Sequence, residues 1–228
     1  SSPDKLALQW MRRWIAENPA PFGNGWEPYP ISLRIVNWIK WLSRDPVIGE
    51  SDQANIASSL VLQAHVLSQR VETHLLGNHL FANAKALIFA GSYFEGEAAD
   101  RWFDHGARIL DEELTEQILA DGAYFELSPM YHATVLEDVL DLLSLQRARP
   151  SVAWERSGLS EARLAATVDA MLRWLGRMCH RDGGIALFND AAFAVAPSLS
   201  VLDDYARVLG LTPAHVQRRD ELEWLEPS

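Results

Sequence analysis

Residues 77–93 read GNHLFANAKALIFAGSY, and the fold follows from this stretch. From Leu80 to Tyr93 the chain is nearly all apolar, with no strand-like alternation, so it reads as a helix over 80–93 buried on most of its sides. Its start holds three polar residues, Asn78, His79 and Asn83. Asn78 alone is accounted for as a helix N-cap. Three polar groups at the head of a buried helix need partners, and the free N–H groups of a helix N-terminus favour an anion.

Outward from this helix the chain reads as helix after helix. Residues 51–74 carry Ile56, Leu60, Ala64, Leu67 and Val71 at helical spacing, and residues 31–43 carry Ile35, Trp38, Ile39 and Leu42. Before them, residues 6–16 place Leu6, Trp10, Trp14 and Ile15 on one face, and residues 18–30, rich in Pro and Gly, read as a loop. Toward the C-terminus the spacing predicts helices over 97–119, 129–146, 161–179 and 198–209. Gly210 is placed to end the last of these. Thr212-Pro213 reads as the N-cap and first residue of one more. Residues 185–188 are the only candidate for a short extended piece. No sequence repeat and no domain boundary is visible, so residues 1–228 read as a single all-α domain of eight or nine helices. Hairpins of this length suggest side-by-side stacking, in a solenoid or a ring, rather than a four-helix bundle.

Composition narrows the functional classes. The 228 residues include 20 Lys plus Arg and 31 Asp plus Glu, for a net charge of −11. A chain of that charge with no basic stripe is no nucleic-acid binder. Its apolar runs fall short of the roughly 20 residues a membrane span needs. The single cysteine, Cys179, rules out an internal disulfide and a Cys-rich metal site. None of the seven histidines forms an i, i+4 pair or a His-Glu-x-x-His pattern, so no metal is expected. No cofactor is expected either, because phosphate-binding glycine motifs and a nucleophile elbow are missing. Nine tryptophans stand out. They suit packing between long helices, and they equally suit a cleft in which sugar faces stack on aromatic rings.

A second segment, residues 121–132, reads DGAYFELSPMYH. Ser128 is placed as an N-cap and Pro129 as the first helical residue, which sets Tyr131 and His132 in the first turn of a helix. Tyr131 can be a packing residue with its hydroxyl at the rim, or a proton-transfer group.

The motifs Asn78-His79-Leu80-Phe81-Ala82-Asn83 and Glu126-Leu127-Ser128-Pro129-Met130-Tyr131-His132, with Trp26-Glu27-Pro28-Tyr29-Pro30-Ile31-Ser32-Leu33-Arg34 upstream, resemble the N-terminal helical domain of the heparinase II/III family of polysaccharide lyases. The match runs in order from about Trp26 to Asp190. The resemblance implies an α/α toroid of helical hairpins, incomplete here, followed in the whole protein by a C-terminal β-sandwich. It implies β-elimination on an acidic, uronic-acid-containing polysaccharide or oligosaccharide such as a glycosaminoglycan; substrates of that kind are met outside the cytoplasm, so a periplasmic location is expected. Asn78, His79 and Tyr131 become the expected catalytic residues. Trp26, Tyr29, Arg34, Asn83, Glu126, His132, Asn189 and Asp190 become the expected substrate contacts. A further catalytic histidine of the family has no matching position, so the chain is expected to be a fragment, inactive by itself and dependent on its missing C-terminal domain. Two other readings remain: a non-catalytic carbohydrate-binding or scaffold toroid, and an α/α glycoside hydrolase using carboxylates such as Glu126 and Asp190.

Overall fold

A computed structural model of the chain describes residues 3–75 and 77–212. Among these residues there are nine α-helices and one 3-10 turn. They are α1 (Pro3–Glu17), the turn Asn24–Trp26, α2 (Pro28–Leu42), α3 (Glu50–Gln69), α4 (Asn78–Tyr93), α5 (Glu97–Gln117), α6 (Pro129–Ala148), α7 (Val152–Arg156), α8 (Glu161–Arg177) and α9 (Leu199–Val208). Among the described residues no helix is long and apolar enough to cross a membrane. The residues divide into two compact units, Ser1–Leu110 and Asp111–Ser228, with the division inside α5.

In the first unit α4 is the core, as its composition requires. Phe81, Ala84, Leu87 and Ile88 have no exposed surface. It packs chiefly against α2, whose Ile31, Ile35 and Ile39 are equally buried, and α3 packs on both. The approach of α5 to α4 depends on two missing side chains. A Cβ on Gly91 would lie 2.6 Å from the Ala99 carbonyl oxygen, and one on Gly106 would lie 2.5 Å from that of Ala84.

In the second unit α6 is the buried element. It packs against α8 and α9, and its Val135, Leu136, Val139 and Leu140 have no exposed surface. The connection into α6 is a tight reversal, in which Leu119 N–H donates to the Ala123 carbonyl and Phe125 N–H to that of Gln117. Gly122 turns the corner at φ 89°, and a Cβ there would meet the Ala170 carbonyl oxygen on α8 at 2.3 Å.

Several boundaries differ from those the sequence predicts. The second helix starts at Pro28 instead of residue 31, because a proline is at home in a first turn where its missing N–H has no partner to lose. The third stops at Gln69 instead of residue 74: Arg70 leaves the helical region at φ −131°, and Glu72 turns its N–H to the Asn83 side chain. The predicted extended piece at 185–188 is a single bridge between Ile185 and Cys179, which also ends α8 at Arg177. The short α7, closed over the buried Trp154, has no counterpart in the sequence reading. The first helix buries only Met11; Leu6 and Trp10, expected on its inner face, are exposed. The helix expected from Thr212-Pro213 lies outside the described residues. Among the described residues six tryptophans are buried, at 26, 38, 41, 102, 154 and 174, so packing explains most of them.

Candidate functional site

The first motif builds a polar network inside the first unit. Gly77, at φ 99°, is the N-cap of α4, so Asn78 is the first helical residue and not the cap itself. The half-buried Asn78 side chain has no hydrogen-bond partner among the described residues. Asn83, one and a half turns on, has no exposed surface, and all its bonds run to the framework. Its Oδ1 accepts from Glu72 N–H at 3.0 Å. Its Nδ2 donates to Ser32 Oγ at 3.0 Å and lies 3.3 Å from Glu72 Oε2. Ser32 Oγ donates in turn to the Pro28 carbonyl at 2.8 Å.

His79 sits at the edge of this network. Its Nδ1 lies 3.4 Å from Glu72 Oε1, and its ring stacks on Tyr29 with centroids 4.3 Å apart and planes 13° from parallel. Two α2 residues, Tyr29 and Ser32, and two α4 residues, His79 and Asn83, are thus tied through Glu72. Nothing in the sequence points to Glu72, which sits in a stretch that reads as helix.

Arg34 of α2 and Trp26 of the preceding turn belong to a different cluster, around Trp14 of α1. The Arg34 guanidinium lies 3.7 Å above the Trp14 ring and donates from Nε to Gln63 Oε1 at 2.7 Å. Burial pulls its pKa down to about 10, so it stays charged at neutral pH. With Trp10, Trp14 and Trp38 it lines a groove of about 700 Å³ along α1. Trp26 is only 2% exposed, packs on Trp14 at 5.5 Å and donates from Nε1 to the Asn18 carbonyl. It supports Arg34 from behind and presents no ring face of its own.

The second motif opens α6 as the sequence predicts. Ser128 is the N-cap, its Oγ accepting from Tyr131 N–H at 3.4 Å, and Pro129 is the first helical residue. Tyr131 is half-buried, and its hydroxyl has no partner among the described residues. Its neighbour His132 is fully buried and held at both ring nitrogens. Nδ1 accepts from Tyr124 N–H at 3.1 Å, so the proton is on Nε2, which donates to the Met171 carbonyl at 2.9 Å. Its ring stacks on Trp174 at 4.5 Å. Burial drives its pKa down to about 4, against the opposing pull of the Met171 carbonyl and Asp121. His132 is therefore a neutral brace for the turn that presents Tyr131. The expectation that it contacts substrate directly meets a side chain with no exposed surface.

Of the two tyrosines in this segment, Tyr124 is unfit to take a proton. Burial, then Glu126, Glu113 and Asp138, push its phenol well above the usual range. Its hydroxyl donates to Glu126 Oε1 at 3.4 Å, which gives half-buried Glu126 a structural partner. Asn189 is exposed, and its Nδ2 donates to the carbonyls of Glu126 and Leu127 at 3.3 and 3.5 Å. Leu127 lies at φ 53°, an uncommon conformation for a branched residue. Asn189 thus clamps the strained residue just before the Ser128 cap. Asp190 is exposed on the same turn at φ 62°. Among the described residues no group of three His, Cys, Asp or Glu is gathered for a metal.

Comparison with known proteins gives concordant matches. The family model described as Heparinase II/III N-terminus matches residues 3–213. A heparin-sulfate lyase of Pedobacter heparinus is 29% identical over 146 residues, covering 59% of this chain and 22% of that protein. One from Bacteroides thetaiotaomicron is 28% identical over 158 residues, covering 65% and 22%. In the crystal structure of heparinase III the match covers 91% of this chain and 34% of that one, with a TM-score of 0.70 at 22% identity. A heparan sulfate lyase from Pedobacter heparinus gives 0.65 at 24% identity, over 95% and 35%. These structures show the fold: all-α, of the α/α toroid type that the resemblance implies. The chain spans 22% of the length of each of these two curated relatives.

Proposed function

The chain belongs to the heparinase II/III N-terminus family, and from that premise we propose that it is the helical part of a lyase that cleaves a uronic-acid-containing polysaccharide by β-elimination. In that reaction the C5–H and C4–O bonds break, a C4=C5 double bond forms, and the leaving C4 oxygen takes up a proton. No water is consumed. The difficulty lies at C5, whose neighbouring carboxylate is already negative and resists the further charge of an enolate. Donors placed on that carboxylate lower the barrier by meeting charge as it develops.

Asn78 and His79 are suited to that task, at the N-terminus of α4 where the helix dipole adds to their effect. Tyr131 is suited to the proton transfer from C5 and to the C4 oxygen, which requires a hydroxyl within hydrogen-bond reach of both. The observation that carries this reading is chemical availability. In each motif the expected reacting group, the Asn78 carboxamide and the Tyr131 hydroxyl, has no partner within the described residues. The polar residues beside them are consumed by the framework, Asn83 by Glu72 and Ser32, His132 by Tyr124 and Met171.

The net charge of −11 favours a lightly sulfated uronan over a densely sulfated one, which would draw on more Lys and Arg than this chain offers. Polymers of that kind are met outside the cytoplasm, and we place the parent protein in the periplasm. The test is the product. Digestion of a panel of uronic-acid polymers by the full-length protein should release oligosaccharides with an ultraviolet-absorbing unsaturated uronate at the non-reducing end. Products of equal chain length without that absorbance would mean hydrolysis. Binding with no cleavage of any polymer would mean a carbohydrate-binding scaffold.

A further inference from the structure

We infer that Glu72 is a positioning residue for His79, fixing its ring with the proton on Nδ1 so that Nε2 is the nitrogen left for substrate. The inference rests on the lyase reading for its purpose, though its geometry stands alone. Glu72 lies in the connection between α3 and α4, and its side chain is 13% exposed. Asn83 holds the residue at two points. Its Oδ1 takes the Glu72 backbone N–H at 3.0 Å, and its Nδ2 lies 3.3 Å from Oε2. Asn83 is itself anchored to Ser32 on α2. The carboxylate is thus fixed before His79 meets it.

The remaining oxygen, Oε1, faces His79 Nδ1 at 3.4 Å. A carboxylate only accepts hydrogen bonds, so the nitrogen opposite it must carry a hydrogen. The bond made by one ring nitrogen decides the state of the other. With Nδ1–H committed to Glu72, Nε2 carries the lone pair of the neutral ring. On taking up a proton it becomes a donor toward a uronate carboxylate, with the negative charge of Glu72 behind the ring. Tyr29, stacked 4.3 Å away, blocks the ring from swinging over. The arrangement is the reverse of His132, whose Nδ1 accepts and whose Nε2–H is spent on Met171. The two histidines of the two motifs are held in opposite tautomers, one turned outward for use and one locked inward.

The tautomer is read directly by nitrogen-15 NMR of the 228-residue chain, at a pH well above the ordinary histidine range, with His79→Gln to assign the signal. The expected result is a protonated Nδ1 and an unprotonated Nε2 on His79. Glu72→Gln keeps the side chain's size and can turn an amide N–H toward Nδ1, so it should switch the proton to Nε2. A wild-type His79 with its proton on Nε2 overturns the inference without need of any variant. So does a Glu72→Gln chain, shown folded by its thermal melt, whose tautomer matches the wild type. These readouts need no turnover, so they stand or fall apart from the lyase reading. In the full-length enzyme, Glu72→Gln should lower kcat on the order of 10–100-fold, as misplaced catalytic groups do, with KM little changed. An effect confined to KM, or none, contradicts a positioning role in the chemistry.

Discussion

His132 makes the pH dependence of stability calculable. The folded chain keeps it neutral down to about 4, because burial penalises the charged ring, while the unfolded chain takes up the proton near the ordinary 6.5. Between those two values the unfolded state binds the extra proton, so stability falls as pH falls through the window. The stabilising contribution is complete above about 6.5 and gone below about 4. The full effect is on the order of 3 kcal/mol, with a slope of at most about 1.4 kcal/mol per pH unit. Many carboxylates also respond to acid, so the measurement must be differential. Urea unfolding of wild type and His132→Gln from neutral pH to the lower edge of the window isolates the histidine, since glutamine keeps an acceptor and a donor but does not titrate. Wild type should lose more stability than the variant over that range, by an amount approaching the figure above. An NMR titration of the wild-type ring checks the same point if the variant folds poorly. Equal acid sensitivity of the two chains, or a wild-type ring that titrates near 6.5, would refute the reasoning.

Three further substitutions test the framework around the two motifs. Gly122→Ala combines a φ of 89° with a Cβ only 2.3 Å from the Ala170 carbonyl oxygen, and should cost roughly 2–5 kcal/mol in denaturant unfolding. Asn83→Ala strands the part-buried Glu72 N–H and loosens Ser32, for a loss of about 1–3 kcal/mol by the same assay. Ser128→Ala removes the cap of α6, and because the Oγ to Tyr131 N–H contact is long at 3.4 Å, the loss should sit near the lower end of the roughly 0.5–2 kcal/mol range for N-caps.

The parts of the fold legible in the sequence are those set by local rules. The apolar run of α4 and the Ser128-Pro129 start of α6 are encoded within a few residues, and the structure follows them. What the sequence hides depends on partners distant in the chain. Trp10 sits at core spacing on α1 yet is 57% exposed, because periodicity says that a face is apolar and not what covers it. Glu72 continues a helical pattern, and only its bonds to Asn83 and His79 reveal that the chain has already turned away. The same holds at the site. The Asn78, His79 and Tyr131 positions came from the motifs, but the division into free groups and braced groups did not. Nothing in Tyr131-His132 as a pair announces that the hydroxyl of the first has no partner among the described residues while the ring of the second is bonded at both nitrogens.

The most direct test of the proposed chemistry is the rate of double-bond formation by the full-length protein carrying Tyr131→Phe, measured as ultraviolet absorbance on the polymer that the wild type cleaves. The substitution removes one hydroxyl with no partner among the described residues, so the thermal melt should be unchanged within about 0.5 kcal/mol. Turnover should fall roughly 10²–10⁴-fold, the range for loss of a general acid–base group, while substrate binding weakens far less, since the hydroxyl acts chiefly in the transition state. A Tyr131→Phe protein that melts normally and still forms the unsaturated product at near the wild-type rate would contradict the account.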